Sequence, residues 1–110
     1  MLNPVANRVE HYLDVLSAKQ KLTASNIANA DTPGYQTKDV DFASALQSAS
    51  GSPVAATEVD GLVAKPDGNN VNLDREARNL AETSLRFQIA TQYLQNQIRA
   101  TRTAMSEVRG

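Results

Sequence analysis

Residues 73 to 109 read LDREARNLAETSLRFQIATQYLQNQIRATRTAMSEVR, and this stretch decides the fold. Leu73, Ala77, Leu80, Ser84, Phe87, Thr91, Leu94, Ile98, Thr101, Met105 and Val108 follow one another in alternating steps of four and three. Eight of these eleven are apolar; Ser84, Thr91 and Thr101 are small. A 4-3 spacing held over five heptads specifies one helix with a continuous coiled-coil seam. Neither Gly nor Pro interrupts it. Asn72 is placed to cap the helix, and Asp74 and Glu76 in its first turn oppose the helix dipole favourably. At 1.5 Å per residue the helix runs for roughly 55 Å. A second apolar strip, Ala81, Leu85 and Ile89, widens the face in its first half.

Residues 4 to 30 read as the other long helix. Pro4 suits a first turn, where its missing N–H is not needed, and Asn3 is a candidate N-cap. Val5, Val9, Leu13, Leu16, Ile27 and Ala30 form its apolar stripe, with Gln20 and Thr23 filling the middle. Tyr12 and Leu22 lie off that stripe. Pro33 pushes Thr32 out of the helical region, so the helix ends between Asn29 and Asp31. Pro33-Gly34 forms the centre of a type II turn in which Gly supplies the positive φ.

Residues 31 to 72 are irregular. Val40 and Phe42 alternate with Asp39 and Asp41, and Asp41 can cap a short helix carrying Phe42, Ala45 and Leu46. Ser48 to Pro53 has linker composition. Val54 to Lys65 suggests a small hairpin turning at Asp60-Gly61, and residues 66 to 70 a further turn. The expected fold is therefore mainly α and one structural domain in three segments, residues 1-30, 31-72 and 73-110. Its two long helices pair as an antiparallel coiled coil, with a loop or small β element at or beyond one end. The first helix, roughly 40 Å long, cannot cover the whole seam of the second. Such a chain looks built to assemble. The seam and its N-terminal counterpart nominate Val9, Leu13, Leu16, Ile27, Leu73, Leu80, Phe87, Leu94, Ile98 and Met105 as the assembly interface.

Chemistry is sparse. The 110 residues hold no Cys and one His, so a disulfide framework, a thiolate metal site and a poly-His site are all excluded. The net charge of −1 lacks the basic excess that draws nucleic acid. His11 reads as a surface residue, since no nucleophile or oxyanion site accompanies it. Asp67-Gly-Asn-Asn fails as a calcium loop because Asn72 and Arg78 stand where Gly and Glu are required. Arg75, Arg78, Arg86, Arg99, Arg102 and Arg109, interleaved with acids, read as a solvated or intersubunit polar face. No catalytic residue, cofactor, metal or small-molecule substrate is expected. No apolar run reaches the roughly 18 residues of a membrane span, and no cleavable leader is evident; alone, these features point to the cytoplasm.

The stretch Leu22-Thr-Ala-Ser-Asn-Ile-Ala-Asn-Ala-Asp-Thr-Pro-Gly-Tyr35 resembles the N-terminal signature of the bacterial flagellar axial proteins, the rod and hook family. Ser25, Asn26, Ile27, Ala28, Asn29, Asp31, Thr32, Pro33, Gly34 and Tyr35 carry the match. Lys38 to Phe42 and Asp67 to Asp74 are similar to the short rod members. The resemblance implies a structural subunit that pairs its terminal helices, self-associates and packs with other rod proteins into a tube. It also implies neighbours in the inner-membrane ring and export gate. It further implies export through the flagellar type III channel without a cleaved signal, which replaces the cytoplasmic reading. The competing readings are another short proximal rod protein of the same family and a soluble coiled-coil adaptor or export chaperone.

Overall fold

The computed structural model describes residues 4–49 and 51–109, so the expected cap Asn3 lies outside the described residues. In chain order the elements are α1 (Pro4–Ala28), β1 (Lys38–Val40), α2 (Phe42–Gln47), β2 (Ala56–Glu58) and α3 (Leu73–Arg109). The molecule is elongated, 69 × 24 × 17 Å, because its longest element is a single helix. α1 packs along α3, and β1 and α2 pack on α1. The end of α1 and the start of α3 are tied together by Asn69, which donates to the carbonyls of Asn29 and Thr32 at 2.8 Å each. The two helices are therefore antiparallel and start level at this end. With 25 residues against 37, α1 runs out first. From Ile98 to Val108 every residue of α3 is exposed.

Local signals explain the element ends. Asn72 Oδ1 accepts from the Arg75 N–H at 3.0 Å and caps α3. Asp41 caps α2 in the same way, through Ser44. α1 ends at Ala28, slightly before the expected residue 30. Its last turn tightens where Ala30 N donates to Ile27 O, while the Asn29 side chain bonds back to Ser25 O. Gly34 takes φ 75°, and Tyr35 N donates to Thr32 O to close the Pro-Gly turn.

Three expectations are corrected. The hairpin around Asp60-Gly61 does not form; β2 instead pairs antiparallel with β1, Lys38 opposite Glu58 and Val40 opposite Ala56. A local two-stranded hairpin is marginal in water, whereas β1 is already held against α1 and offers β2 a fixed edge. The middle segment does not lie beyond the helix ends; after the corner it turns back along α1. His11 is not a surface residue. It is buried, its Nε2 donating to Ala45 O at 2.8 Å, while Tyr12 meets Phe42 edge-on at 5.6 Å. Both contacts pin α2 to α1.

The core is thin. Its buried apolar members are Ala6, Val15, Leu16, Val40 and Ala90. The buried line of α3 is Glu76, Thr83 and Ala90, seven residues apart, and not the apolar heptad. That heptad lies to one side. Phe87 and Leu94 are half-buried, while Leu73, Leu80, Ile98 and Met105 remain exposed. Heptad spacing shows which residues can share a seam but not which seam a short partner helix will occupy. Leu16, with no exposed surface, is the largest apolar residue of the core. Its replacement by Ala should cost about 2–5 kcal/mol. Leu85→Ala, on the solvent side of α3, should stay within about 0.5 kcal/mol. Urea denaturation of dilute protein measures both.

Candidate assembly surface

The signature stretch builds a corner, and asparagine amides hold it. The Asn26 side chain pairs with the Lys38 backbone in both directions, donating to Lys38 O at 2.8 Å and accepting from Lys38 N at 3.1 Å. It thereby occupies the edge of β1 that faces α1. The Tyr35 hydroxyl donates to the same Asn26 Oδ1 at 3.0 Å and lies 3.4 Å from Ser25 Oγ. Thr32 Oγ1 donates to Asn29 Oδ1. From the other side of the corner, Asn70 Oδ1 accepts from both the N–H and the hydroxyl of Thr37, at 2.7 and 2.8 Å. Its Nδ2 donates to Gln36 Oε1. Gly34 N donates to Asp67 O, and a Cβ on Gly68 would sit 3.4 Å from the Gly34 Cα. Side-chain amides offer both a donor and an acceptor, so each can stand in for a backbone partner where the chain cannot form a ladder.

Thus the structure brings Ser25, Asn26, Asn29, Thr32, Gly34 and Tyr35 together. Ile27, Ala28, Asp31 and Pro33 are exposed, Asp31 standing 3.8 Å from Lys65. Asn69 and Asn70, both buried, are the partners that sequence reasoning missed; it treated them as an ordinary turn. Their signal was two adjacent amides beside Gly68.

A second polar tie joins three elements. Asp39 on β1 accepts from Lys19 of α1 at 3.0 Å and from Arg75 of α3 at 2.8 Å. Arg75 also reaches the fully buried Glu76 at 2.7 Å. Burial works against the Asp39 carboxylate, but hydrogen bonds from Lys19, the Val40 N–H and Arg75 outweigh it and hold its pKa below the ordinary 3.8. Asp39 and Asp41 serve separately: one is an ion-pair centre, and the other is the helix cap expected of it. Among the described residues no group of three His, Asp or Glu side chains converges as a metal site.

The remaining surface is apolar and sits on α3. Leu73, Leu80 and Ile98 are exposed on one side, and Leu85, Ile89 and Tyr93 on another. Val9 and Tyr12 of α1 join Ile89, Ala90 and Tyr93 in lining a groove. Of the nominated interface residues, Leu16 is wholly enclosed by its own chain and has no surface to offer a neighbour. Val9, Leu13, Phe87 and Leu94 are half-buried, while Ile27, Leu73, Leu80, Ile98 and Met105 are exposed.

An elongated helical hairpin with its apolar flanks uncovered is the form of a building block for a larger assembly. Residues 13–36 match the family of flagella basal body rod proteins. The flagellar basal body rod protein FlgB of Yersinia enterocolitica is 33% identical, over 86% of this chain and 88% of the relative. The FlgB proteins of Salmonella typhimurium and Escherichia coli K12 are each 34% identical, over 79% of this chain and 82% of theirs. The chain belongs to the FlgB family of flagellar basal body rod proteins. It is a structural subunit of the basal body rod that assembles with other rod proteins, not an enzyme.

Two outcomes test the corner and the tie. Asn69→Ala removes two hydrogen bonds to the carbonyls of Asn29 and Thr32, which keep the N–H groups of Thr32 and Tyr35 as partners, and should cost about 1–3 kcal/mol in all. Amide exchange at residues 29 to 37 should rise with it. A carboxylate with a lowered folded-state pKa stabilises above its unfolded value near 3.8, and that contribution is lost as pH falls through the lower folded value. Asp39→Asn should therefore lower stability at neutral pH and flatten the loss of stability below about pH 4, read by thermal melts across pH.

Proposed function

We propose that this chain is a subunit of the proximal rod and self-assembles through the exposed flanks of α3 and its free C-terminal end. The observation that carries the reading is the mismatch between the helices. α1 leaves the last part of α3 uncovered, and Ile98, Met105 and Val108 stand exposed there. A long apolar seam without a partner in its own chain is buried only by another chain. The seam recurs in every subunit, so the same burial repeats along the assembly.

The inner-membrane ring and the export gate are the neighbours proposed at the base of the rod, with the rod standing in the periplasm. Passage through the flagellar type III channel as an unfolded chain, without a cleaved signal, is part of the same reading. The thin core supports it. A fold resting on few large apolar residues and many side-chain hydrogen bonds has modest resistance to unfolding.

Ile98→Asp tests the reading. The side chain lies outside the intramolecular core, so the variant should be exported and fold as the unmodified chain does. In the rod it would bury an unpaired carboxylate, at a cost of several kcal/mol per subunit. Basal bodies counted by electron microscopy should fall to background in a strain carrying only this variant. Gln47→Asp, on the exposed surface of α2 and away from α3, should leave them unchanged. Normal rods built from Ile98→Asp would overturn the assembly role of this seam.

A further inference from the structure

The dipeptide Asp-Gly occurs twice in the chain, at residues 60–61 and 67–68. Both glycines hold positive φ, 81° at Gly61 and 88° at Gly68. Asp-Gly is open to a reaction of the chain with itself. The glycine has no Cβ, so its backbone nitrogen can approach the carboxyl carbon of the preceding aspartate without a clash. In sequence the two copies are equivalent, but the fold gives them opposite surroundings.

Asp67 and Gly68 are locked into the corner. The Gly68 N–H donates to Lys65 O at 2.8 Å, and Gly68 O accepts from Gln36 Nε2 at 2.9 Å. Asp67 Oδ1 accepts from the Asn69 N–H at 2.9 Å, and Asp67 O accepts from Gly34 N at the same distance. Turning the Gly68 nitrogen onto the Asp67 carboxyl would break several of these bonds at once. Asp60 and Gly61 stand free by comparison. The chain is anchored before them by Val59 N on Thr37 O, and after them by Lys65 N on Asn69 O. Between the anchors, residues 60 to 64 make no hydrogen bond or ion pair among the described residues. Asp60 and Gly61 are exposed, and Val63 is 91% exposed. Rotation about the Asp60 backbone therefore breaks no hydrogen bond, and such a segment opens at almost no free-energy cost.

We propose that Asp60-Gly61 is a site of spontaneous isoaspartate formation in the folded chain, and that the corner protects Asp67-Gly68 from the same change. In the first step the Gly61 nitrogen attacks Asp60 Cγ and forms an N–Cγ bond. The carboxyl OH and the amide hydrogen leave together as water, and a cyclic succinimide remains. In the second step water adds at the former main-chain carbonyl of Asp60 and breaks its bond to nitrogen. The main chain then runs through Cβ and Cγ, and the α-carboxylate is free. One water leaves and one returns, so mass and composition are unchanged. The product lengthens the main chain by one carbon between the two anchors. Because residues 60 to 64 hold no other bond, the β1–β2 pairing and the corner stay in place, and the altered chain keeps its fold. Asp60 would thus record the age of a long-lived subunit without weakening it.

The test ages the purified full-length chain in warm neutral buffer. It is then digested with an endoproteinase that cleaves before aspartate but not before isoaspartate, and the peptides are weighed and fragmented by electron transfer. Resistance before residue 60 should grow with time at unchanged mass, while cleavage before residue 67 stays complete. Thermal melts of the aged chain should match those of the fresh one. In guanidinium the corner is lost, and resistance should grow at both sites. Asp60→Glu, which would have to close a larger ring, should show no resistance before residue 60 in either condition. Equal growth at both sites in the folded chain would overturn the proposal, as would an Asp60 that stays intact there. An Asp67 that stays intact in guanidinium would overturn the protective role of the corner.

Discussion

The bonds from Asn69 to the carbonyls of Asn29 and Thr32 set the level at which α1 and α3 meet. Everything else in the molecule follows from that level. Two helices of unequal length, aligned at one end, must be uneven at the other. The uneven end is the exposed stretch from Ile98 onward. Without the corner, Thr83 and Ala90 on the inward line of α3 would offer α1 little to fix its level. A set of buried amides cannot be shifted, because each displaced amide leaves polar groups unpaired.

The division of labour between polar and apolar side chains follows. Within the chain, specificity comes from hydrogen bonds: Asn26 on β1, Asn70 on Thr37, His11 on α2. The line of α3 that faces inward carries Glu76, Thr83 and Ala90. Threonine and alanine allow close approach but contribute little hydrophobic free energy, on the order of 25 cal/mol for each Å² of apolar area. The larger apolar side chains, Leu80, Leu85, Ile89 and Ile98, remain on the outside. A monomer arranged in this way has a defined shape and a small margin of stability, with its main hydrophobic gain reserved for contact between chains.

Glu76 shows how narrow that margin is. A fully buried carboxylate is costly unless its charge is matched. Its partner is Arg75, which in turn leans on Asp39, and Asp39 on Lys19. Two cations and two anions form one chain across α1, β1 and α3. The middle segment is thus fastened to both long helices at one carboxylate, and its pairing depends on that residue's charge.

Much was legible in the residues alone. The heptad from Leu73 onward, the turn at Pro33-Gly34, the cap at Asp41 and the length mismatch are local properties, fixed by backbone propensities and helix geometry. The signature of residues 22 to 35 likewise pointed to the family. The tertiary structure decided what depends on meeting a distant partner. It chose which face of α3 is covered, since periodicity leaves several adjacent faces available to a helix of small residues. It paired β2 with β1 across the chain, because hydrogen bonds between strands carry little sequence signature. It buried His11, Asn69 and Asn70, because a polar side chain's burial is settled by the partner that satisfies it, and those partners lie 34 residues away for His11 and up to 40 for Asn69.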